Sequence, residues 1–257
     1  MYEIVRKEML ANNIFLMDVK APWVARACLP GQFIIAKIDE EGERIPLTIC
    51  DYSREDGTIT IVVQMIGAST ERMSTLEKGD AFLDFVGPLG NPSELCLEEN
   101  LEETKKKHII FVGGGLGIAP VYPQIKWLNE HGVDADVIIG FRSKDLMFYY
   151  DKMKSVAKNV YVTTDDGSFG MKGMGTDQLR ALYDDGARYD HCVAIGPMIM
   201  MKFVCVLTKE LGIPTTVSMN TIMVDGTGMC GCCRLTVGDR PTAYLSVRLC
   251  RITPGHA

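Results

Sequence analysis

Near its C-terminal end the chain carries Asp225-Gly226-Thr227-Gly228-Met229-Cys230-Gly231-Cys232-Cys233. Cys230 and Cys233 are spaced C-x2-C, and Asp225 precedes Cys230 by four intervening residues. That is the plant-type 2Fe–2S spacing, C-x4-C-x2-C, with Asp in place of the first Cys. Glycines between the ligands let such a loop wrap a cluster with its amides facing the sulfides. A zinc knuckle is the rival, because C-x2-C also suits zinc. Against it, no second C-x2-C and no nearby histidine pair closes a tetrahedral site. Loose thiols would leave residues 220–257 with nothing to fold around, since so short a segment cannot build its own core. Cys232 falls outside the ligand spacing.

A second chemical signal is Gly113-Gly114-Gly115-Leu116-Gly117-Ile118-Ala119-Pro120, which follows an apolar run and opens a helical one. Glycines there let backbone approach a pyrophosphate, and the helix N-terminus offers N–H groups and a positive dipole end. A tight strand–helix turn is the plainer alternative. The pattern is not G-x-G-x-x-G, and Pro120 in the first helical turn marks a different subtype. Ala194-Ile195-Gly196-Pro197 repeats the arrangement, and a backbone bare of side chains at Gly196 and Pro197 suits a flat nicotinamide ring. Between them lies Thr163-Thr164-Asp165-Asp166-Gly167-Ser168. Asp165 and Asp166 suit ribose hydroxyls and would repel a 2′-phosphate, which favours NAD. Arg142 and Lys144, after the preceding strand, pull the other way.

In the N-terminal half, Arg44-Ile45-Pro46-Leu47-Thr48 puts an arginine before a strand with a hydroxyl four residues on. An Arg fork can clamp a diphosphate, and a Thr hydroxyl can bond a flavin edge. Gly67-Ala68-Ser69-Thr70 opens a helix and is a second candidate anion site. A surface arginine and an N-cap serine are the ordinary readings of both. No acid–base pair or nucleophile triad stands out, so no catalytic side chain is expected.

These residues need a scaffold. Runs at 2–8, 14–20, 33–38, 45–51, 58–63 and 81–86 have strand length and are separated by turn signals, with one helix at 69–76. That spacing predicts a small antiparallel barrel. Residues 93–107, acidic and closing in three lysines, read as a solvated linker over a domain boundary. From His108 the rhythm becomes strand, helix, strand, helix: strands at 108–112, 133–141, 160–164, 191–195 and 215–219, and helices at 118–130, 151–158, 176–183 and 197–211. Alternation of this kind predicts a doubly wound α/β parallel sheet.

Composition sets the outer bounds. The chain has 257 residues, 47% hydrophobic and 23% charged, ordinary for a globular protein. No stretch approaches the roughly 18 apolar residues of a membrane span. A net charge of −6 argues against a nucleic-acid surface. Nine cysteines without a visible export signal point to a cytoplasmic protein that uses thiols for metal or redox work. Cys28, Cys50, Cys96, Cys192 and Cys205 read as small buried hydrophobes.

Taken in order, the barrel pattern, Arg-x-Pro-Leu-Thr at 44–48, Gly-Gly-Gly-Leu-Gly-Ile-Ala-Pro at 113–120, Gly-Phe-Arg-Ser-Lys-Asp at 140–145, Thr-Asp-Asp-Gly-Ser at 164–168, Gly-Pro at 196–197 and the cysteine loop resemble the ferredoxin-reductase superfamily. More narrowly the chain resembles the electron-transfer subunits of dihydroorotate dehydrogenase and sulfide dehydrogenase. Within that group it is similar to the small subunit of NADH-dependent ferredoxin:NADP oxidoreductases, where an Asp replaces one cysteine ligand. The resemblance implies an antiparallel FAD-binding β-barrel over 1–98, an NAD-binding α/β domain over 99–220 and a 2Fe–2S segment over 221–257. It implies that Arg44, Pro46, Leu47 and Thr48 hold the flavin and ribityl–diphosphate part of FAD, and Gly67, Ser69 and Thr70 its pyrophosphate. Gly114, Gly115, Gly117 and Pro120, with Asp165 and Asp166, would hold the pyridine nucleotide, and Asp225, Cys230 and Cys233 the cluster. The implied activity is electron transfer from NAD(P)H through FAD and the cluster to a larger redox subunit, with ferredoxin as a further partner. The electron-transfer subunit of an NAD-linked dihydroorotate dehydrogenase is the alternative.

The end of the chain departs from that family. Relatives carry a fourth cysteine where this chain has Ser246, and they continue into a helical tail. The stretch from about Ala243 is what an altered reading frame would produce. Cys250 after a loop shift, or the Ser246 oxygen, is then the fourth ligand.

Overall fold

The computed structural model describes residues 1–219 and 222–233, and the backbone of three short strands at Leu235–Val237, Arg240–Thr242 and Leu249–Ile252. Two compact units divide the chain: Met1–Ser93 with Asn220–Arg248, and Glu94–Met219 with Leu249–Ala257.

The first unit is built from strands β1 (Tyr2–Ala11), β2 (Ile14–Lys20), β3 (Phe33–Lys37), β4 (Ile45–Thr48), β5 (Asp51–Ser53), β6 (Thr58–Gln64), β7 (Ala81–Phe82) and β8 (Asp84–Leu89), with helices α1 (Pro22–Ala27) and α2 (Ala68–Ser74). One antiparallel sheet runs β5-β6-β2-β1-β7 and another β4-β3-β8. Two runs expected as single strands are each broken, for the same reason. After β4, which pairs with β3, Ile49 N–H still bonds Gln32 O at 3.0 Å, but Cys50 N–H bonds Thr60 O at 2.9 Å and β5 pairs with β6. After β7, which pairs with β1, Leu83 N–H turns to Lys37 O at 3.0 Å and β8 pairs with β3. Each run passes from one sheet to the other, and these corners join the two layers.

Phe15, Met17, Ile34, Ile59, Ile61, Phe82 and Phe85 fill the space between the sheets. Phe15→Ala is expected to cost about 3–5 kcal/mol, read as a lower urea midpoint with an unchanged slope. Helix α1 is a correction: the sequence suggested only one helix in this half. Pro22 at its first position and the buried pair Val24 and Ala25 are the signals that six residues were too few to raise.

The segment expected as a solvated linker is also corrected. It forms short helical turns at Glu94–Cys96 and Glu98–Asn100, then α3 (Leu101–Thr104), with Leu95, Cys96 and Thr104 buried. Its acidic residues are the exposed side of an otherwise docked segment, and Cys96 Sγ lies 3.8 Å from Gln124 O.

In the second unit β9 (Ile109–Gly114), α4 (Ile118–Glu130), β10 (Ala135–Phe141), α5 (Tyr150–Val156), β11 (Asn159–Thr164), β12 (Met171–Lys172), α6 (Gly175–Asp184), β13 (His191–Ile195), α7 (Met198–Glu210) and β14 (Thr215–Ser218) follow in order. Six strands are parallel, in the order β12-β11-β10-β9-β13-β14. The central strands β9 and β13 are buried along their whole length, as sheets covered on both faces require. Of the strands at the chain's end, β15 (Leu235–Val237) and β16 (Arg240–Thr242) pair with each other. The last, β17 (Leu249–Ile252), adds to β14 in antiparallel register, Val217 opposite Cys250. Ser246 and the residues around it lie outside the described residues. Among the described residues no helix is long and apolar enough to cross a membrane.

Candidate functional site

The strand β9 ends at Gly114, residues Gly115–Gly117 make one tight turn, and α4 begins at Ile118. Most of the glycines here answer to protein rather than to open space. A Cβ on Gly117 would stand 2.3 Å from Ile195 O and 2.7 Å from Gly196 Cα. One on Gly196 would stand 3.0 Å from Gly114 O, and one on Gly114 2.4 Å from Met200 Sδ. The turn after β9 and the turn after β13 therefore lie backbone against backbone, with the Met200 thioether over the junction. Gly115 differs: its φ is +52° and nothing stands within 4 Å of its Cβ direction. It is the glycine of this turn whose bare face is open to a ligand. Pro120 sits in the first turn of α4, where a missing N–H breaks no helical bond. Pro197 caps α7 and is exposed.

Beyond β11 the pairing with β10 continues, Asp165 N–H to Phe141 O at 3.1 Å and Asp166 N–H to Arg142 O at 3.3 Å. The Asp166 carboxylate accepts the Ser168 hydroxyl at 2.6 Å and the Ser168 N–H at 2.9 Å, which hold it below the usual carboxylate range. Ser168 Oγ in turn accepts the Lys144 N–H at 2.8 Å, tying this loop to the one after β10. One of the two acidic residues thus works inside the loop, while Asp165 is exposed.

In the first unit, Ile45 and Leu47 pack against the core from one face of β4. Side chains alternate along a strand, so Pro46 and Thr48 occupy the other face, and Arg44 immediately precedes the strand. The Arg44 guanidinium is 3.8 Å from Asp84, and both are more than two-fifths exposed. At α2 the expected hydroxyls are engaged locally. Thr70 Oγ1 accepts the N–H groups of Ile66 and Gly67 at 3.0 and 3.1 Å and donates to Gly67 O at 2.9 Å. Ser69 donates to the Glu43 carboxylate. Arg72 pairs with Asp39, so both contacts fasten the β3–β4 hairpin to α2. Sequence reasoning missed Glu43, because an acid in a hairpin loop has no pattern to flag it.

The cysteine loop, 222–233, is organised around Asp225. Its carboxylate accepts the N–H groups of Thr227, Cys230 and Gly228 at 2.9, 2.9 and 3.3 Å, and the Thr227 hydroxyl at 3.1 Å. These bonds, the Cys230 amide foremost, lower its pKa to about 2. Because the folded value lies below the unfolded one near 3.9, this ordering is complete above about pH 4 and lost as pH falls through 2. Faster amide exchange at Thr227, Gly228 and Cys230 over that window, after correction for intrinsic rates, is the expected readout. Gly226, at φ +73°, presses on β3: a Cβ there would stand 2.3 Å from Ile35 Cδ1. Cys230 and Cys232 are exposed and Cys233 is buried. Among the described residues no three His, Cys, Asp or Glu side chains are gathered to hold a metal. Cys250 is placed by its backbone opposite Val217, and its side chain is outside the described residues.

A unit of two antiparallel sheets and a unit of six parallel strands entered through a glycine turn define an oxidoreductase of the ferredoxin-reductase fold. No family model matches the chain. It is 61% identical over 239 residues to an uncharacterized protein from the adh 3′ region of Clostridium beijerinckii, covering 93% of this chain and 80% of that protein. It is 45% identical over 238 residues to a dihydroorotate dehydrogenase B (NAD(+)) electron transfer subunit homolog of Thermotoga maritima, covering 93% and 81%. Among solved structures, a chain from the work on flavin-based electron bifurcation by NADH-dependent reduced ferredoxin-NADP oxidoreductase superposes with a TM-score of 0.82 at 42% identity, covering 93% of this chain and 83% of that one. The chain belongs to the family of dihydroorotate dehydrogenase B electron-transfer subunits and their homologues.

Proposed function

We propose that this chain is the flavin and iron–sulfur electron-transfer subunit of a cytoplasmic hetero-oligomer, of the NADH-dependent ferredoxin:NADP oxidoreductase or sulfide dehydrogenase type. The observation that carries the reading is the 42% identity, at a TM-score of 0.82, to a chain of NADH-dependent reduced ferredoxin-NADP oxidoreductase. Bound FAD would supply hydride-accepting chemistry toward NADH, and a cluster bound in the cysteine loop would supply one-electron carriage.

The residues present fit the two nucleotides. Pro46 and Thr48 stand on the face of β4 turned from the core, with Arg44 just before the strand, where the Arg fork would neutralise the FAD diphosphate and Thr48 would meet the flavin ring. Gly67, Ser69 and Thr70 would line the pyrophosphate once Ser69 exchanges Glu43 for phosphate. Gly115 offers the open backbone face for the pyridine nucleotide, with Gly114, Gly117, Pro120, Gly196 and Pro197 shaping it. Asp165 would accept from ribose hydroxyls, and Asp166 would hold the loop that presents it. For the cluster the donor chemistry fits: two thiols, Cys230 and Cys233, and the Asp225 carboxylate, in a loop with positive φ at Gly226, Gly228 and Gly231. Cys250 or Ser246 would complete the set.

A larger redox subunit is the proposed partner, with ferredoxin beyond it, and neither nucleic acid nor membrane is needed. The second reading, an electron-transfer subunit for dihydroorotate oxidation, is favoured by the name of the Thermotoga relative. Asp225 in place of a cysteine favours the first. A neighbouring gene for a glutamate-synthase-like subunit, rather than a dihydroorotate-oxidising one, would separate the two.

The direct test is an anaerobic visible spectrum of the purified chain with iron and acid-labile sulfide assays. Flavin bands with a broad iron–sulfur shoulder, bleaching with NADH, are expected. Flavin without iron would remove the cluster from the proposal, and a colourless, zinc-binding protein would overturn it.

A further inference from the structure

Strand β3 is buried on both faces, although only one of them meets the core. Ile34 and Ala36 point into the space between the sheets, as Ile45 and Leu47 of β4 do. Phe33 and Ile35 alternate with them and so lie on the outer face, yet they are only 3% and 0% exposed. The register sets Ile35 directly opposite Pro46 and Phe33 opposite Thr48. Residues directly opposed in this way share a face, with Cβ atoms about 4.5–5.5 Å apart. Leu89 of β8 stands opposite Phe33 on the same face. The cysteine loop reaches that face. A Cβ on Gly226 would stand 2.3 Å from Ile35 Cδ1, 3.2 Å from Ile35 Cγ1 and 3.4 Å from Leu89 Cδ1. The loop backbone therefore rests on β3 and β8 at the residue that follows Asp225. Two features place it there: the Asp225 carboxylate gathers the amides of Thr227, Gly228 and Cys230, and Gly226, at φ +73°, turns the chain against Ile35.

We infer that Gly226 is a positioning residue: its bare face lets the cysteine loop rest on Ile35, and the loop so placed walls the flavin-facing side of β4 beside Pro46. The inference rests on the proposed flavin site, because Pro46 and Thr48 are what that side presents to the ring. A side chain at position 226 meets Ile35, which is fully buried on the central strand of the β4-β3-β8 sheet and cannot step aside. The loop lifts instead, as overpacked contacts force backbone to shift. The flavin ring then loses a wall but keeps Arg44, which precedes β4 and takes no part in the contact. Asp225 is the neighbouring residue, so the same contact fixes how near the loop's acidic group comes to the ring.

The test compares the full chain carrying FAD with Gly226→Ala, Ile35→Val and the double variant. Shielding of the flavin is read by iodide quenching of its fluorescence, which a lower stability alone does not move in a folded sample. Gly226→Ala is expected to shift the quenching constant toward that of free FAD while FAD stays bound. Ile35→Val deletes Cδ1, the atom 2.3 Å from the added Cβ, so the double variant is expected to return to the value of Ile35→Val alone. Residues in contact couple in this way, and distant ones do not. Quenching in Gly226→Ala equal to the parent's overturns the inference. So does a double variant no better shielded than Gly226→Ala, because the effect would then belong to the left-handed backbone and not to the seat on Ile35. Should Gly226→Ala not fold, the parent decides: nuclear Overhauser contacts from the Gly226 α protons to the Ile35 δ methyl, and from loop protons to FAD, are expected, and their absence overturns the inference. A parent chain that takes up no FAD overturns the flavin reading of β4 and this role for Gly226 with it, which sets that failure apart from FAD bound and quenching unmoved.

Discussion

Gly117→Ala is expected to damage the nucleotide unit more than any other single methyl added to its glycine turn. The new Cβ meets Ile195 O at 2.3 Å and Ile195 C at 2.6 Å, and both are backbone atoms that no rotamer change can clear. Separating the two turns costs about 1–3 kcal/mol by the usual range for overpacking. It also moves Gly115, the residue whose open face the nucleotide would use. Loss of about tenfold or more in NADH affinity is expected, equivalent to roughly 1.4 kcal/mol, with FAD retention unchanged. Gly115→Ala is the control for packing alone, because its methyl would stand on the face the nucleotide would use and NADH affinity is expected to fall there too. It meets nothing within 4 Å and carries only the left-handed strain of φ +52°, about 1–2 kcal/mol. Thermal unfolding and NADH titration of both variants decide the matter. Parent-like melting and affinity in Gly117→Ala would mean that the turns are not packed together as described.

The second large effect is predicted for Arg44→Ala, and it falls on ligand rather than on fold. The Arg44–Asp84 pair is long at 3.8 Å and solvent-exposed, so it contributes little to stability. A charge-assisted contact to a diphosphate contributes about 1.5–3 kcal/mol. FAD affinity should therefore fall by roughly 10- to 150-fold while the urea midpoint stays put. Arg44→Lys should recover part of the loss, since it restores charge without the fork. Equilibrium dialysis against FAD measures both. Unchanged retention in Arg44→Ala would remove this residue from the flavin site.

The elements that sequence reasoning located well are those with long, one-signal patterns. Helix α4 and strand β13 fall on their expected bounds, because an apolar strand and a 13-residue helix each repeat their signal several times. The misses come from features that only tertiary contact creates. The breaks at Ile49–Cys50 and Leu83 are changes of hydrogen-bonding partner, invisible to a pattern of apolar residues. The docked turns at Glu94–Cys96 were hidden because acids dominate the composition while Leu95 and Cys96 do the packing. At the site, the glycines of 113–117 were legible as a special turn. That Gly117 answers to Ile195, some eighty residues later, was not. Asp225 was legible by spacing, whereas its hold on the loop amides needed coordinates.

The place of β9 in the middle of the parallel sheet has a consequence during synthesis. One of its edges is satisfied early, when β10 follows at Ala135, but the other waits for β13 at His191. At roughly 5–20 residues per second, the intervening stretch of roughly 80 residues takes about 4 to 16 seconds to emerge. Throughout that interval Ile109-Ile110-Phe111-Val112 presents an apolar, unpaired strand edge to solvent. A ribosome-bound chain stalled before His191 is thus the form of this protein most in need of a chaperone, and the one most prone to associate with its own copies on a polysome.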